Sequence, residues 1–309
     1  MQQQDGKLQK REECAALFIS DLHMGSTHFD APRLLTLLRS HNPRTLYMVG
    51  DIIDGWKLRK NWYWPEAYAA LMREVLQMAE NGTHIVYITG NHDERLRFLP
   101  QPMTRKLKNT FGITVKNELV HTGVNGKRWL VIHGDQFDWS ILHGRLSRWG
   151  DHFYEWLSST FLVFFTPRVR LEGKWKKFSL SKALRASGTH TLYLIKNFES
   201  AVFRRIQNEH VDGLICGHTH IPIIKTLEGK TYMNCGSGVG PAPTALIERL
   251  NGTFELIPYP SHDQRPPSEL SPVSQDIKTR EKELRVWIQR IWPAKKQMKT
   301  HYVALFQNR

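Results

Sequence analysis

Short apolar runs alternate with longer amphipathic stretches through the first two thirds of the chain. The runs are rich in β-branched residues, and the longer stretches place apolar residues at helical spacing. The pattern predicts strands at Ala15–Ser20, Thr45–Val49, His84–Thr89, Arg128–Ile132 and Gly213–Cys216. It predicts helices at Ala31–Ser40, Pro65–Glu80 and Met103–Thr110. Alternation of this kind indicates an α/β fold.

The pattern changes after Ile221 to short strands joined by tight turns. Glu228-Gly229 and Asn251-Gly252 are typical turn dipeptides. The strands predicted there are Ile223–Leu227, Thr231–Asn234, Thr244–Leu250 and Thr253–Pro258. Together the two patterns predict layered sheets with flanking helices.

Two segments stand outside this pattern. Residues 136–210 are mostly compatible with helix and rich in Trp, Phe, Lys and Arg, which predicts an insertion that covers one face. Residues 264–309 open with a Pro/Ser-rich linker and continue as a basic helix that ends at Pro293. We therefore expect a flexible N-terminus at 1–14, a main domain at 15–260 and a linker with a helix at 261–309.

The composition supports a folded protein with an anionic partner. The 309 residues are 40% hydrophobic, which excludes wholesale disorder, and three cysteines are too few for a disulfide scaffold and suggest a reducing compartment. The net charge is +14, of which residues 145–185 and 264–309 each supply +6. Charge concentrated in this way favours nucleic acid, phospholipid headgroups or a phosphorylated substrate, with solubility as the plain alternative.

No secretory signal or membrane span is predicted. The first residues lack an apolar core, and the longest apolar stretch, around residues 161–165, is far shorter than the ~18 residues needed to cross a bilayer. We expect a cytoplasmic protein, with peripheral attachment to the cytoplasmic face of the inner membrane left open.

Five short polar motifs each begin where a predicted strand ends. They are Asp21-Leu22-His23, Gly50-Asp51-Ile52-Ile53-Asp54, Gly90-Asn91-His92-Asp93, His133-Gly134-Asp135 and Gly217-His218-Thr219-His220. Ligands bind at the carboxyl ends of strands in open α/β sheets, so these motifs can converge. Carboxylates and imidazoles without thiolate suit Mn²⁺, Fe²⁺, Zn²⁺ or Co²⁺. Two such ions ~3.5–4 Å apart, bridged by one carboxylate, would form a hydrolytic centre.

The five motifs together resemble the signature of the calcineurin-like metallophosphoesterases, over about residues 15–260. The resemblance implies a four-layer α/β/β/α sandwich with two divalent metal ions at the sheet edge, Mn²⁺ being the first expectation. It implies the following ligands: Asp21, His23 and His220 for one metal, Asn91, His133 and His218 for the other, and Asp51 bridging both. His92 would stabilise charge on the phosphate or protonate the leaving group, with Asp93 orienting it.

Within this superfamily the chain looks most like the UDP-2,3-diacylglucosamine diphosphatases. The shared features are ISDLHMGS, YMVGDIIDGW, HGDQFD, CGHTHIP with NCGSG after it, and the long insertion. In that family a helical lid takes up acyl chains, and the pyrophosphate of the UDP-sugar lipid is cleaved to UMP and a lipid 1-phosphate for lipid A synthesis. His92 is a departure, because those enzymes carry arginine at this position.

The insertion is compatible with a lipid substrate. Its aromatic residues offer apolar area for acyl chains: Trp139, Trp149, Phe153, Trp156, Phe161, Phe164 and Phe165. Its basic residues suit phosphates or headgroups: Arg168, Arg170, Lys174, Lys176 and Lys177. The alternative is that the aromatic residues pack the insertion onto the main domain.

Residues close to the motifs have less defined roles. Arg95 and Arg97 could contact a phosphate or be solvated loop charges. Asp54 is expected to orient a ligand or a loop, and Asp135 to hold His133 or cap the next turn.

The C-terminal helix has two interpretations. Its apolar face of Ile277, Leu284, Ile288 and Ile291 could pack on the core. Alternatively, the helix could dock on anionic lipid with Trp287 and Trp292 as interfacial anchors.

Three other functions remain as alternatives to the lipid enzyme. A phosphodiesterase or nuclease would use the basic charge, and stacking of bases on aromatic residues leaves nucleic acid as an open partner. A protein phosphatase ranks lower because the insertion would narrow its groove. A non-catalytic scaffold ranks lowest, since every ligand position is filled. We infer no obligate protein partner.

Overall fold

The computed structural model describes residues 11–138, 188–261 and 273–294. The strands are β1 (Glu12–Ile19), β2 (His41–Val49), β3 (His84–Ile88), β4 (Ile113–Lys116), β5 (Glu118–Thr122), β6 (Arg128–Ile132), β7 (Gly213–Cys216), β8 (Ile223–Leu227), β9 (Lys230–Asn234), β10 (Thr244–Glu248) and β11 (Phe254–Pro258). The helices are α1 (Ala31–Ser40), α2 (Gly55–Lys60), α3 (Glu66–Glu80), α4 (Gln101–Phe111), α5 (Gly188–Asn208) and α6 (Gln275–Ile291). Short 3₁₀ turns lie at Glu94–Phe98 and Asp135–Phe137.

The strands form two sheets. The first has the order β11-β10-β1-β2-β3-β4, with β1 to β4 parallel and β10 and β11 antiparallel to their neighbours. The second has the order β5-β6-β7-β9-β8, with β6, β7 and β9 parallel. The parallel strands of each sheet direct their carboxyl ends to a common edge, which is where the polar motifs were expected to meet.

Strand β1 shows how the layers form. Its Ala16 and Phe18 join the core between the sheets, whereas Leu17 and Ile19 join the core beneath the helices. Successive side chains of a strand point to opposite faces, so a run that is apolar throughout is buried on both sides. Helices α1, α3, α4 and α6 cover the first sheet and α5 covers the second. The predicted four-layer α/β/β/α sandwich is confirmed.

Some elements were missed by the apolar pattern. Strands β4 and β5 are only partly buried and carry polar residues, and α2 is too short for a helical period to show. The expected flexible N-terminus at 1–14 is wrong at its last residues. Strand β1 begins at Glu12, which pairs with His41 of β2, because backbone pairing extends beyond the apolar side chains.

The predicted insertion at 136–210 includes a helix that belongs to the main domain. Its final part is α5, which packs Phe198, Val202 and Ile206 against the second sheet and so forms the fourth layer of the sandwich. The prediction of a covering insertion now concerns residues 139–187, which lie outside the described residues.

Helix α6 packs on the core. Ser274 caps its first turn by accepting a hydrogen bond from the Ile277 amide. Its predicted apolar face is buried in the same core as α1 and α3: Ile277, Leu284, Ile288 and Ile291. Trp292 is 1% exposed, so the structure contradicts its assignment as an interfacial anchor. Among the described residues, no helix is both long enough and apolar enough to cross a membrane.

Candidate metal centre

The loops after β1, β2, β6 and β7 are held together by backbone hydrogen bonds at one edge of the sandwich. The amides of Asp21 and His23 donate to the carbonyls of Gly50 and Asp51, over 3.1 and 2.9 Å. Across the second sheet, the Gly217 amide donates to the His133 carbonyl over 3.0 Å. These bonds bring motifs from distant parts of the sequence into one cluster.

The backbone of this cluster is strained. Seven non-glycine residues of the described chain have a positive φ angle, and five of them are predicted metal ligands. These five are Asp21 (52°), His23 (50°), Asp51 (53°), His218 (68°) and His220 (56°). Left-handed backbone is unfavourable for L-residues and concentrates at functional sites. With this backbone conformation, the side chains of these residues lie close to one another in the cluster.

Glycines make room for these side chains. A Cβ atom on Gly90 would overlap the Asp51 carboxylate, and one on Gly217 would overlap the Asp21 carboxylate. Gly50 would meet the His133 ring in the same way, and its φ of +73° also favours glycine. The glycine that opens three of the motifs is therefore explained by close approach to a ligand.

One group of potential ligands contains Asp21, His23 and His220. His220 Nε2 lies 3.0 Å from Asp21 Oδ1, and His23 Nε2 lies 3.9 Å from the same oxygen. The other Asp21 oxygen accepts the amide of His218 over 2.9 Å. One carboxylate thus faces two imidazoles and is anchored to the neighbouring motif.

A second group contains Asp51, His133 and His218. His133 Nε2 lies 3.3 Å from Asp51 Oδ2, while its Nδ1 contacts the Val49 carbonyl at 3.0 Å. A hydrogen bond to one ring nitrogen directs the other toward a ligand, as in many metal sites. His218 is held similarly, since its Nε2 lies 2.8 Å from Asp138.

The predicted ligands include buried polar atoms that a cation would satisfy. Within the described chain, five such atoms make no well-directed hydrogen bond, although two of them, Asp51 Oδ2 and His133 Nε2, lie 3.3 Å apart: His23 Nε2, Asp51 Oδ2, Asn91 Oδ1, His133 Nε2 and His218 Nδ1. Leaving a buried polar atom without a partner is costly, and native structures rarely do so without a ligand, ion or water. These donor atoms fit divalent metal ions.

The buried carboxylates and imidazoles of the cluster shift one another's pKa values. Burial alone would raise the pKa of the Asp51 carboxyl, but His133 and His92 hold this pKa well below its usual range. Burial would lower the pKa of His133, yet Asp51 raises it well above the ordinary value. For His23, burial and the neighbouring His92 lower the pKa to about 3. The buried Asp51 carboxylate and His133 ring, 3.3 Å apart, thus stabilise each other's charged forms.

His92, from the third motif, lies between the carboxylates of Asp51 and Asp54. Its backbone amide donates to Asp51 Oδ1 over 2.8 Å, and its ring Nδ1 lies 3.3 Å from Asp54 Oδ1. The Trp56 ring packs against the His92 ring with 4.0 Å between centroids. Burial would lower the pKa of His92, but Asp51 and Asp54 raise it. The ring is therefore biased toward its protonated form.

The predicted orienting role of Asp93 needs correction. Asp93 accepts hydrogen bonds from the amides of Ile52 and Gly90 and from the Tyr87 hydroxyl, the last over 2.6 Å. It therefore fixes the loop, and the carboxylate beside the His92 ring is Asp54. Asp54 was expected to orient a ligand or a loop. It accepts the Lys57 amide at the start of α2, which supports the loop role, and it lies beside His92, which is not a predicted ligand.

A comparison with known families decides what kind of centre this is. The family model for calcineurin-like phosphoesterases matches residues 16–222. The chain belongs to this family. As a calcineurin-like phosphoesterase it is a metal-dependent hydrolase of phosphoesters, and the predicted family and enzyme class are confirmed.

Curated relatives carry a more specific name. A Shewanella piezotolerans protein named UDP-2,3-diacylglucosamine hydrolase is 27% identical over 255 residues, which cover 79% of this chain and 98% of the relative. A Pectobacterium carotovorum protein of the same name is 25% identical over 80% of this chain and 99% of its own length. Among solved structures, an archaeal phosphodiesterase aligns over 79% of this chain and 98% of its own at 12% identity, with a TM-score of 0.39.

Sequence reasoning missed the support given by the NCGSG segment of this phosphoesterase. The Asn234 side-chain amide donates to the Gly217 carbonyl and to Thr219 Oγ1, over 2.5 and 3.0 Å. Ser237 donates to the Asp21 carbonyl over 3.2 Å. The segment begins at Asn234, the last residue of β9, which pairs with Cys216 of β7 just before the last motif, so strand pairing was the available signal.

The two arginines after His92 have structural contacts. Arg97 makes a paired contact with Asp135 at 2.8 and 2.9 Å and also bonds Thr89. Arg95 donates to the Ile291 carbonyl at the end of α6 over 2.7 Å. Arg95 is exposed beyond this bond, and its predicted phosphate contact stays a prediction. The other predicted substrate-binding residues, Arg168, Arg170, Lys174 and Lys177, lie outside the described residues.

Proposed function

We propose that this phosphoesterase hydrolyses the pyrophosphate bond of UDP-2,3-diacylglucosamine or a closely similar UDP-sugar lipid, releasing UMP and a lipid 1-phosphate. The observation that carries the proposal is the set of buried donor atoms without a well-directed hydrogen bond at the strand ends, on a chain whose full-length relatives bear the name of that hydrolase. The two basic segments agree with an anionic substrate.

The chain's own residues would divide the work as follows. Asp21, His23 and His220 would hold one cation, Asn91, His133 and His218 would hold the other, and Asp51 would contribute to both positions. Two cations, Mn²⁺ by preference, supply Lewis-acid polarisation of the phosphoryl oxygens and an activated water when bound. Val49 and Asp138 keep the rings of His133 and His218 in their binding orientation.

His92 would act on the phosphate itself. Asp54 Oδ1 lies 3.3 Å from its Nδ1 and can accept a hydrogen bond from the protonated ring. A protonated imidazole there stabilises charge that develops on the phosphoryl group, or gives its proton to the leaving group. His92 replaces the arginine that is usual in the resembled diphosphatases, and a protonated imidazole would present positive charge as arginine does.

The membrane setting is part of the same proposal. A diacylated substrate resides in a lipid layer, so the enzyme would work as a peripheral protein on the cytoplasmic face of the inner membrane. The basic segments would favour contact with anionic headgroups.

The test offers three substrates to the purified protein with Mn²⁺. These are UDP-2,3-diacylglucosamine in mixed micelles, bis-p-nitrophenyl phosphate and single-stranded DNA. We expect UMP release from the lipid to be the fastest reaction, and Asp51→Asn to abolish it. Asp276→Asn, an exposed carboxylate on α6, is the matched control and should retain full activity. Faster cleavage of DNA, or hydrolysis of the generic diester alone, would overturn the lipid assignment.

A further inference from the structure

The end of α6 touches the two segments that hold His92. The first contact is between the Trp292 indole and Gly55, the first residue of α2, where a Cβ atom would overlap the indole ring. The second is the hydrogen bond from Arg95 to the Ile291 carbonyl, 2.7 Å long. The consecutive residues Ile291 and Trp292 thus contact the start of α2 and the 3₁₀ turn that follows His92.

The Gly55 side of this arrangement leads directly to His92. The Gly55 amide donates to the His92 carbonyl over 3.1 Å. The residues on either side of Gly55 flank the His92 ring, with Asp54 Oδ1 3.3 Å from Nδ1 and the Trp56 ring 4.0 Å away. A shift of the first turn of α2 would therefore move the carboxylate and the ring that position His92.

The Arg95 side fixes the loop after His92. The last carbonyls of a helix lack partners within the helix, and a basic side chain can satisfy them. Arg95 supplies such a bond to the Ile291 carbonyl. Arg95 belongs to the 3₁₀ turn at Glu94–Phe98, which begins two residues after His92, so the bond ties this turn to the end of α6. Trp292 is 1% exposed, so its side of the junction is fully packed, whereas Arg95 reaches Ile291 from an exposed position.

We propose that Trp292 and Arg95 are positioning residues for His92, so that the C-terminal helix completes the active site from outside the family region. The inference rests on the proposed action of His92 on the phosphate. The family model ends at residue 222, and α6 begins 53 positions later, at Gln275. Helix α6 thus lies outside the matched region and still contacts the segments on both sides of His92.

The test measures steady-state hydrolysis of bis-p-nitrophenyl phosphate with Mn²⁺ in the full chain. Trp292→Phe and Arg95→Met are chosen because they keep apolar volume and should fold. We expect each to lower kcat ~10–100-fold with KM within about twofold and with metal content unchanged, since small misplacements of a catalytic group carry such losses. Arg95→Lys, which keeps a donor for Ile291, should recover most of the kcat. Val286→Ala, on the exposed face of α6, should match the wild type.

A double-mutant cycle separates positioning from general damage. In a His92→Ala background, Trp292→Phe and Arg95→Met should cause no further loss of kcat, because the group that they position is gone. Equal losses in both backgrounds, a loss of bound metal, or unchanged kcat in the single variants would overturn the inference. A His92→Ala variant with normal kcat would also overturn it. These assays use a simple diester, so failure of the lipid assignment would appear separately, in the UMP assay.

Discussion

Single residues at this centre are placed by backbone strain and by neighbours far away in sequence. Five predicted ligands have left-handed backbone, and the rings of His133 and His218 are directed by Val49 and Asp138. The ligand types could be read from the motifs, since each motif follows a buried strand. The carboxylate beside the His92 ring could not be read from the sequence. Both Asp54 and Asp93 belong to the motifs, and only the folded loops show that Asp54 is the one next to the ring.

Asn234 offers a test of the second layer of contacts. Asn234→Asp keeps the oxygen that accepts the Gly236 amide but loses the donor to Gly217 and Thr219. The loop that carries His218 and His220 should loosen, and turnover or Mn²⁺ affinity should fall ~10–100-fold, as for other residues that support metal ligands. The measurement is Mn²⁺ titration monitored by hydrolysis of bis-p-nitrophenyl phosphate.

The matched control for that substitution is Asn251→Asp. The Asn251 side-chain oxygen accepts bonds from Thr253 in an exposed turn, and aspartate keeps this role. Activity should be unchanged there. Equal behaviour of the two variants would contradict the supporting role of Asn234.

At the scale of elements, the strongly periodic helices and the buried strands were predictable, and the weakly apolar elements were not. Strands β4 and β5 depend on pairing with neighbours rather than on burial of their own side chains. Helix α5 was grouped with the aromatic insertion because its amphipathic sequence does not reveal which surface it covers. Helix α6 had a clear apolar face, but only the packing shows that the face meets the core.

Burial of α6 predicts a large effect of core truncation in this helix. Ile288 is 1% exposed, so Ile288→Ala should lower the free energy of unfolding by ~2–5 kcal/mol, as for other buried aliphatic truncations. Val286 lies on the same helix and is 46% exposed, so Val286→Ala should stay within ~0.5 kcal/mol. Urea denaturation of both variants gives the comparison. Unchanged stability of Ile288→Ala, together with weaker binding to anionic vesicles, would favour the lipid-docking interpretation instead.

At the scale of the whole molecule, the site exists only because the two sheets pack face to face with the carboxyl ends of their parallel strands at the same edge of the sandwich. Asp21, Asp51 and His92 come from the first sheet, and His133, His218 and His220 come from the second. Hydrogen bonds from Gly217 to His133 and from Gly238 to Asp21 hold the loops of the two sheets in place. The order of motifs predicted this convergence, because parallel strands share a direction. The contacts of Ile291 with Arg95 and of Trp292 with Gly55 had no such signal, because these residues are about 200 positions apart or more.

The most direct measurement of the central claim is the number of Mn²⁺ ions bound per chain, determined by calorimetric titration and elemental analysis of the metal-free protein. We predict two ions for the wild type and for Asp276→Asn. Asp51→Asn should lose at least one ion and ~10²–10³-fold or more of the hydrolysis of bis-p-nitrophenyl phosphate, since Asp51 is proposed to serve both metal positions. Full binding and activity in Asp51→Asn, or a wild type that hydrolyses phosphoesters without bound metal, would contradict the account.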